Sequence, residues 1–157
     1  FVLEAFRAVV EAVGAERTGI RISPEHNIQD VLETDRDDVL ATYTALVDGI
    51  APLKPAYLSI LHKDPADDLV QELRRRFAGP VLLNTGFGTV TTRNDAIMLL
   101  EEDLADAVVV GRPVMANPDL ARRWQEDHPL NEIDQATVYT DGAAGYTDYP
   151  VLEPVAS

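Results

Sequence analysis

Four short apolar stretches alternate with amphipathic ones along these 157 residues, which predicts an α/β fold built on a parallel sheet. Two further observations choose between an open doubly wound sheet and a barrel. The first strand-to-helix turn, "IRISPEHN", lacks the glycine fingerprint of dinucleotide-binding sheets. The last two strands each run into a glycine loop, "NTGFGT" and "GRPVMANPDL". (β/α)8 TIM barrels often seat phosphate with the loops after strands seven and eight. A full barrel needs about 250 residues. The chain is therefore expected to supply about the last four β/α units of a TIM barrel, plus a C-terminal tail.

Each element has its own signal. In "FVLEAFRAVVEAVG", Phe1, Leu3, Phe6, Val9, Val10 and Val13 form a helical stripe, and Gly14 is a C-terminal stop. Nothing before Phe1 caps this helix, so it reads as one already in progress. Residues 17–23, "RTGIRIS", make the first strand, halted by Pro24. A polar loop through Asp35 leads to a helix over 37–50. "AYLSIL", 56–61, is the second strand, and a helix over 66–77 places Leu69, Leu73 and Phe77 on one face. "PVLLNT", 80–85, is the third strand, followed by a helix over 92–102. "DAVVVG" is the fourth, its valine run suiting a strand covered on both faces. Asn117, Pro118 and Asp119 carry helix-start signals for "NPDLARRWQED": a capping residue, a proline at the first position and an acid in the first turn. After His128 the tail, about 128–157, is rich in tyrosine, glycine and proline and reads as irregular. Right-handed crossovers predict that the four strands lie parallel and adjacent, in sequence order.

Strand end, glycine, arginine and helix start come together at "VVVGRPVMANPDL". Adjacent glycine loops let backbone N–H groups approach an anion, and Arg112 adds a charge-assisted fork. The plainer alternative is a turn glycine beside a solvated or salt-bridged arginine.

Composition excludes several classes. A net charge of −14 disfavours nucleic acid and anionic membranes. The absence of cysteine removes disulfides and thiolate metal sites. No apolar run approaches the ~20 residues that span a bilayer, and no signal peptide is visible, so a cytoplasmic location is the default.

The motifs "GIRISP", "GRPVMANPDL", "LN" followed by "TVY", and "GYTDYP" stand in the order and spacing of a known family. Together they make the chain resemble the Old Yellow Enzyme family of flavin-dependent ene-reductases, over the C-terminal half of that family's length. The resemblance implies residues 1–157 as the C-terminal half of a single flavin-binding TIM barrel that holds FMN non-covalently at the strand C-termini. It implies NADPH or NADH as hydride donor and an enone or nitroalkene as substrate. Arg21, in "GIRISP", matches the arginine at the N1/O2 side of the flavin ring; read without the family, it would be a buried ion pair. Gly86 and Phe87 match the first phosphate loop, and Gly111 and Arg112 the second. Tyr139, in "TVY", matches a tyrosine lining the substrate pocket; the plainer alternative is a tail residue packed on the barrel rim. "GYTDYP", with Tyr146 and Tyr149, looks like a docking motif for the tail.

The chain also departs from the pattern. Asn84 and Thr85 stand where the family's phosphate loop has small residues. The family's histidine/asparagine pair that anchors the substrate, and its proton-donating tyrosine, lie in the half not represented here. No catalytic residue is therefore assigned to this chain. A complementary N-terminal half-barrel segment or chain is the expected partner, with a homo-oligomer as a further possibility. His26 reads as a loop residue near the pocket, His62 as a rim residue and His128 as solvated. None has Asp or Glu at metal-ligand spacing, so no metal is assigned. The alternative to an enzyme is a catalytically incomplete half-barrel that only binds flavin or phosphate.

Overall fold

The four strands form one sheet in the order β1-β2-β3-β4, every neighbouring pair parallel, as the alternation predicts. They are β1 (Gly19–Ile22), β2 (Tyr57–Leu61), β3 (Val81–Asn84) and β4 (Ala107–Val108). The helices are α1 (Val2–Val13), α2 (Arg36–Ile50), α3 (Asp68–Phe77), α4 (Arg93–Glu101), α5 (Arg112–Ala116) and α6 (Leu120–Gln125). This computed structural model describes residues 1–86 and 88–153. The chain divides into two units, Phe1–Thr89 with Asn94–Val109, and Val90–Arg93 with Val110–Ser157.

In the first unit the register sorts side chains into faces. Ile22, Ile60, Leu83 and Val108 lie side by side across the four strands. Ile22, Ile60 and Leu83 join Leu58 and Val81 in a core with Val39, Val47 and Ile50 of α2 and Leu69, Val70, Leu73 and Phe77 of α3. Residues alternate in a strand, so the opposite face carries the neighbouring row: Arg21, Ser59, Leu82 and Ala107. Each fully buried aliphatic side chain of the core contributes about 1.5–3 kcal/mol by leaving water.

Local signals place most helix starts. Asp35 caps α2 by accepting N–H bonds from Asp37 and Asp38, and Asp67 caps α3 by accepting from Leu69. The stripe expected on α1 divides: Phe6 is buried and Leu3 and Val10 pack on the core, whereas Phe1, Val9 and Val13 are exposed. The first strand is shorter than expected, because residues 15–17 form a 3-10 turn before it.

The second unit corrects one helix start. The helix expected from Asn117 is two short helices, and the first begins at Arg112. Pro113 at the opening of α5 has a fixed φ that suits a helix N-terminus. Pro118 pushes the residue before it out of helical conformation. Asn117 accordingly stands at φ −133°, ψ 83°, ending α5 instead of opening a helix. Neither helix nor strand occurs from residue 126 to 153.

The tail is held by side chains in place of a ladder. Arg123, 5% exposed, donates from Nε to Asp119 Oδ1 (2.7 Å), from Nη1 to Pro129 O (2.6 Å) and from Nη2 to Pro150 O (3.0 Å). Asp119 Oδ2 accepts the N–H of Leu152 at 2.7 Å. Asn131 donates to Ala116 O and Pro150 O, both at 2.8 Å. Tyr149 Oη accepts the N–H of Asp134 at 2.8 Å. "GYTDYP" therefore docks the tail through Tyr149 and the Pro150 carbonyl.

Candidate active site

Parallel pairing brings the C-terminal ends of all four strands to one side of the first unit, where βα loops carry the functional groups of such folds. Arg21 lies one residue before the end of β1, on the face away from the helix-packed core. It is exposed, and its row neighbours Ser59, Leu82 and Ala107 are uncharged. Among the described residues, the Arg21 side chain has no hydrogen bond or ion pair. The buried ion pair that Arg21 would form on its sequence context alone is thus absent among the described residues.

β3 ends at Asn84, and the loop after it turns on Gly86 at φ +94°, a conformation that glycine adopts without strain. Gly86 N–H donates to Asn84 Oδ1 at 3.0 Å. The Gly86 donor is therefore engaged within its own loop. Asn84 Nδ2 donates to Val109 O at 2.8 Å, joining the ends of β3 and β4. Phe87, assigned to the same phosphate loop, lies outside the described residues.

A second cluster forms where the chain leaves β1 and β2. His62 is 3% exposed. Its Nδ1 lies 2.7 Å from Asp64 O, and its Nε2 lies 3.3 Å from Glu25 Oε2. Arg36, opening α2, pairs with Glu25 Oε1 at 2.8 Å and with Asp67 Oδ1. The hydrogen bond from Arg36, helped by His62, holds the Glu25 carboxyl below its usual range. Burial pushes Asp67 up, but Arg36 and the Leu69 N–H outweigh it, and Asp67 also ends lowered. Glu25, His62 and Asp67 offer ligand atoms within 4.8 Å of one another. The Arg36 guanidinium bonds both carboxylates, so the arrangement is an ion-pair network built around a cation the chain supplies. No local pattern signals it, because Glu25 and His62 are 37 residues apart. His62 stands at the end of β2, as expected, and is buried there.

In the second unit, Gly111 precedes α5 at φ −102°, and a Cβ built on it meets no described atom within 4 Å. Arg112 is the exposed first residue of α5. Tyr139 has left-handed backbone, φ 67°, and is 88% exposed. That exposure leaves no packing of the kind a buried rim residue would show. His128 is half-exposed and lies 3.1 Å from Glu126 Oε2. His26 is half-buried in the loop after β1.

Residues 1–131 match the NADH:flavin oxidoreductase / NADH oxidase family. The chain belongs to this family. It is 33% identical over 153 residues to a 12-oxophytodienoate reductase-like protein of Solanum lycopersicum, covering 96% of this chain and 40% of that one. It is 35% identical over 156 residues to a probable flavin mononucleotide-dependent alkene reductase of Leishmania infantum, covering 97% and 40%. The solved old yellow enzyme of Trypanosoma cruzi superimposes with a TM-score of 0.81 at 33% identity, over 97% of this chain and 40% of that one. Morphinone reductase, solved with tetrahydroNAD, gives the same TM-score of 0.81 and the same 33% identity. The chain spans about two fifths of the length of these relatives. The Old Yellow Enzyme resemblance read from the motifs is borne out, and the four β/α units are part of a TIM barrel of the flavin oxidoreductase type. Among the described residues, no helix of this family member is long and apolar enough to cross a membrane.

Proposed function

We propose that this chain is the flavin-binding part of an FMN-dependent ene-reductase, with NAD(P)H as donor and α,β-unsaturated carbonyl or nitro compounds as acceptors. The observation that carries this reading is Arg21. An exposed cation with no partner among the described residues stands in a row of uncharged residues, on the face of the sheet the helices do not cover. When bound, FMN supplies the hydride chemistry between NAD(P)H and the activated C=C bond. Arg21 holds a fixed positive charge for the N1/O2 edge of the flavin ring, where reduction places negative charge. The family resemblance assigns phosphate contact to Gly86, Phe87, Gly111 and Arg112, and a substrate contact to Tyr139. Both end strands of the described sheet, β1 and β4, have one edge without a strand partner. Open edges are templates for pairing, so a complementary half-barrel segment is the partner these edges fit.

The test is titration of the flavin-free protein with FMN, followed by NADPH oxidation with cyclohexenone as acceptor. Wild type is expected to bind FMN, and Arg21→Ala to weaken binding or slow flavin reduction by about tenfold, the scale of one charge-assisted hydrogen bond. An Arg21→Ala protein with unchanged flavin affinity and unchanged reduction rate overturns the assignment. Flavin binding without turnover favours a module that binds flavin but does not itself reduce alkenes.

A further inference from the structure

His62 aims one ring nitrogen at a pair of carboxylates. Its side chain is 2% exposed, and its backbone N–H bonds Asn84 O at 3.0 Å, which fixes it at the end of β2. Nδ1 lies 2.7 Å from Asp64 O and 3.1 Å from Asp64 N. The shorter contact assigns the ring proton to Nδ1, since an unprotonated nitrogen there would set its lone pair against the carbonyl oxygen. Nε2 then carries the lone pair, and it faces Glu25 Oε2 at 3.3 Å. That distance is long for a charge-assisted hydrogen bond, about 2.7–2.9 Å. It matches the edge of a tetrahedron around a zinc ion, where bonds of about 2.0–2.1 Å set ligand atoms about 3.3–3.4 Å apart. Arg36 leaves the matching oxygens to the ion. It bonds Glu25 through Oε1 and Asp67 through Oδ1, and the Leu69 N–H also goes to Asp67 Oδ1. Among the described residues, Asp67 Oδ2 accepts no hydrogen bond.

We propose that Glu25, His62 and Asp67 form a binding site for a divalent ion of the zinc type. The site stands where β1 and β2 release their loops, and the proposal is independent of the flavin reading. A buried imidazole whose far nitrogen donates to a backbone carbonyl is oriented as a metal ligand. Arg36 orients both carboxylates from outside, each by one oxygen, as outer partners of metal ligands do. The three residues offer ligand atoms within 4.8 Å of one another, and small rotations of the two half-buried carboxylates close the set. One imidazole and two carboxylates suit zinc; magnesium and calcium favour shells of oxygen. Water completes the fourth position. A bound ion ties the loop after β1 to the loop after β2 and to the opening of α3.

The experiment titrates the metal-free full chain with Zn2+ alone, reading heat of binding and melting temperature, for wild type, Glu25→Gln, His62→Ala and Glu72→Gln. Glu72 bonds Arg75 and Arg76 and controls for diffuse binding to an acidic surface. Wild type is expected to bind one Zn2+ and to melt higher with it. Glu25→Gln and His62→Ala are expected to weaken Zn2+ by at least about tenfold, the lower end for losing even an outer partner of a metal site, with Glu72→Gln unchanged. Zn2+ affinity unchanged in either Glu25→Gln or His62→Ala overturns the site. No binding by wild type overturns it too, and identifies His62 and Glu25 as an imidazolium–carboxylate pair. Mg2+ bound as tightly as Zn2+ also overturns it. Should His62→Ala not fold, Asp67→Asn, which keeps the Oδ1 that caps α3, takes its place under the same readings.

Discussion

His62 Nε2 and Glu25 Oε2 stand 3.3 Å apart, joining the loops that leave β1 and β2. Around them, Arg36 closes the group by pairing with both Glu25 and Asp67. Two neighbouring strand ends are thereby tied together at the C-terminal edge of the sheet.

This network should make the protein acid-sensitive. Arg36 and His62 hold Glu25 below its ordinary value. For Asp67, burial pushes upward but Arg36 and the Leu69 N–H leave it lowered as well. Groups lowered in the folded state contribute stability that is complete above their unfolded values, about 4, and is lost as the pH falls through the lowered folded values. Melting temperature followed from pH 7 to pH 3 should therefore drop on the acid side. Glu25→Gln should lower the neutral value and flatten that acid slope. An unchanged slope in Glu25→Gln would place the acid sensitivity elsewhere.

The two loop glycines should respond differently to alanine. Gly86 sits at φ +94°, so Gly86→Ala should cost about 1–2 kcal/mol of stability from left-handed backbone alone. Gly111 sits at φ −102° with no described atom within 4 Å of a built Cβ, so Gly111→Ala should stay within about 0.5 kcal/mol of wild type. If Gly111 is there for a phosphate, Gly111→Ala should nevertheless weaken FMN, as should Arg112→Ala by about ten- to hundredfold. Chemical denaturation and FMN titration on the same variants separate the two effects.

Asn117 should be a stability residue of the second unit. It is 1% exposed, donates to Pro113 O at 2.8 Å and Asn131 O at 3.3 Å, and accepts the Asn131 N–H at 2.7 Å. Asn117→Ala leaves these buried groups unpaired and should cost about 1–3 kcal/mol. Chemical denaturation should read this loss, and Asn131→Ala should leave these bonds in place, since they run to the Asn131 backbone, which alanine keeps. An Asn117→Ala protein as stable as wild type would mean that these bonds do not hold the tail to α5.

The alternation of strands and helices, the parallel order and the family were all legible in the sequence. Apolar period, caps such as Asp35 and Asp67, and motif spacing act over a few residues and survive without knowledge of the fold. Pro118 is legible too, but it acts on the residue before it, which leaves helical conformation, so Asn117 ends a helix instead of capping one. Asn84 stood out in the sequence only as a departure from the family's small residue. Its bond to Val109 spans 25 residues and exists because the register sets β3 beside β4. Glu25, Arg36, His62 and Asp67 meet for the same reason, through loops that parallel strands deliver to one end. The isolation of Arg21 was likewise decided by tertiary structure: strand alternation turns it away from the core, and the neighbouring strands place Ser59, Leu82 and Ala107 beside it in place of a carboxylate. Local chemistry chose the elements, and the pairing register, which closes contacts between residues far apart in the chain, chose which polar groups became partners.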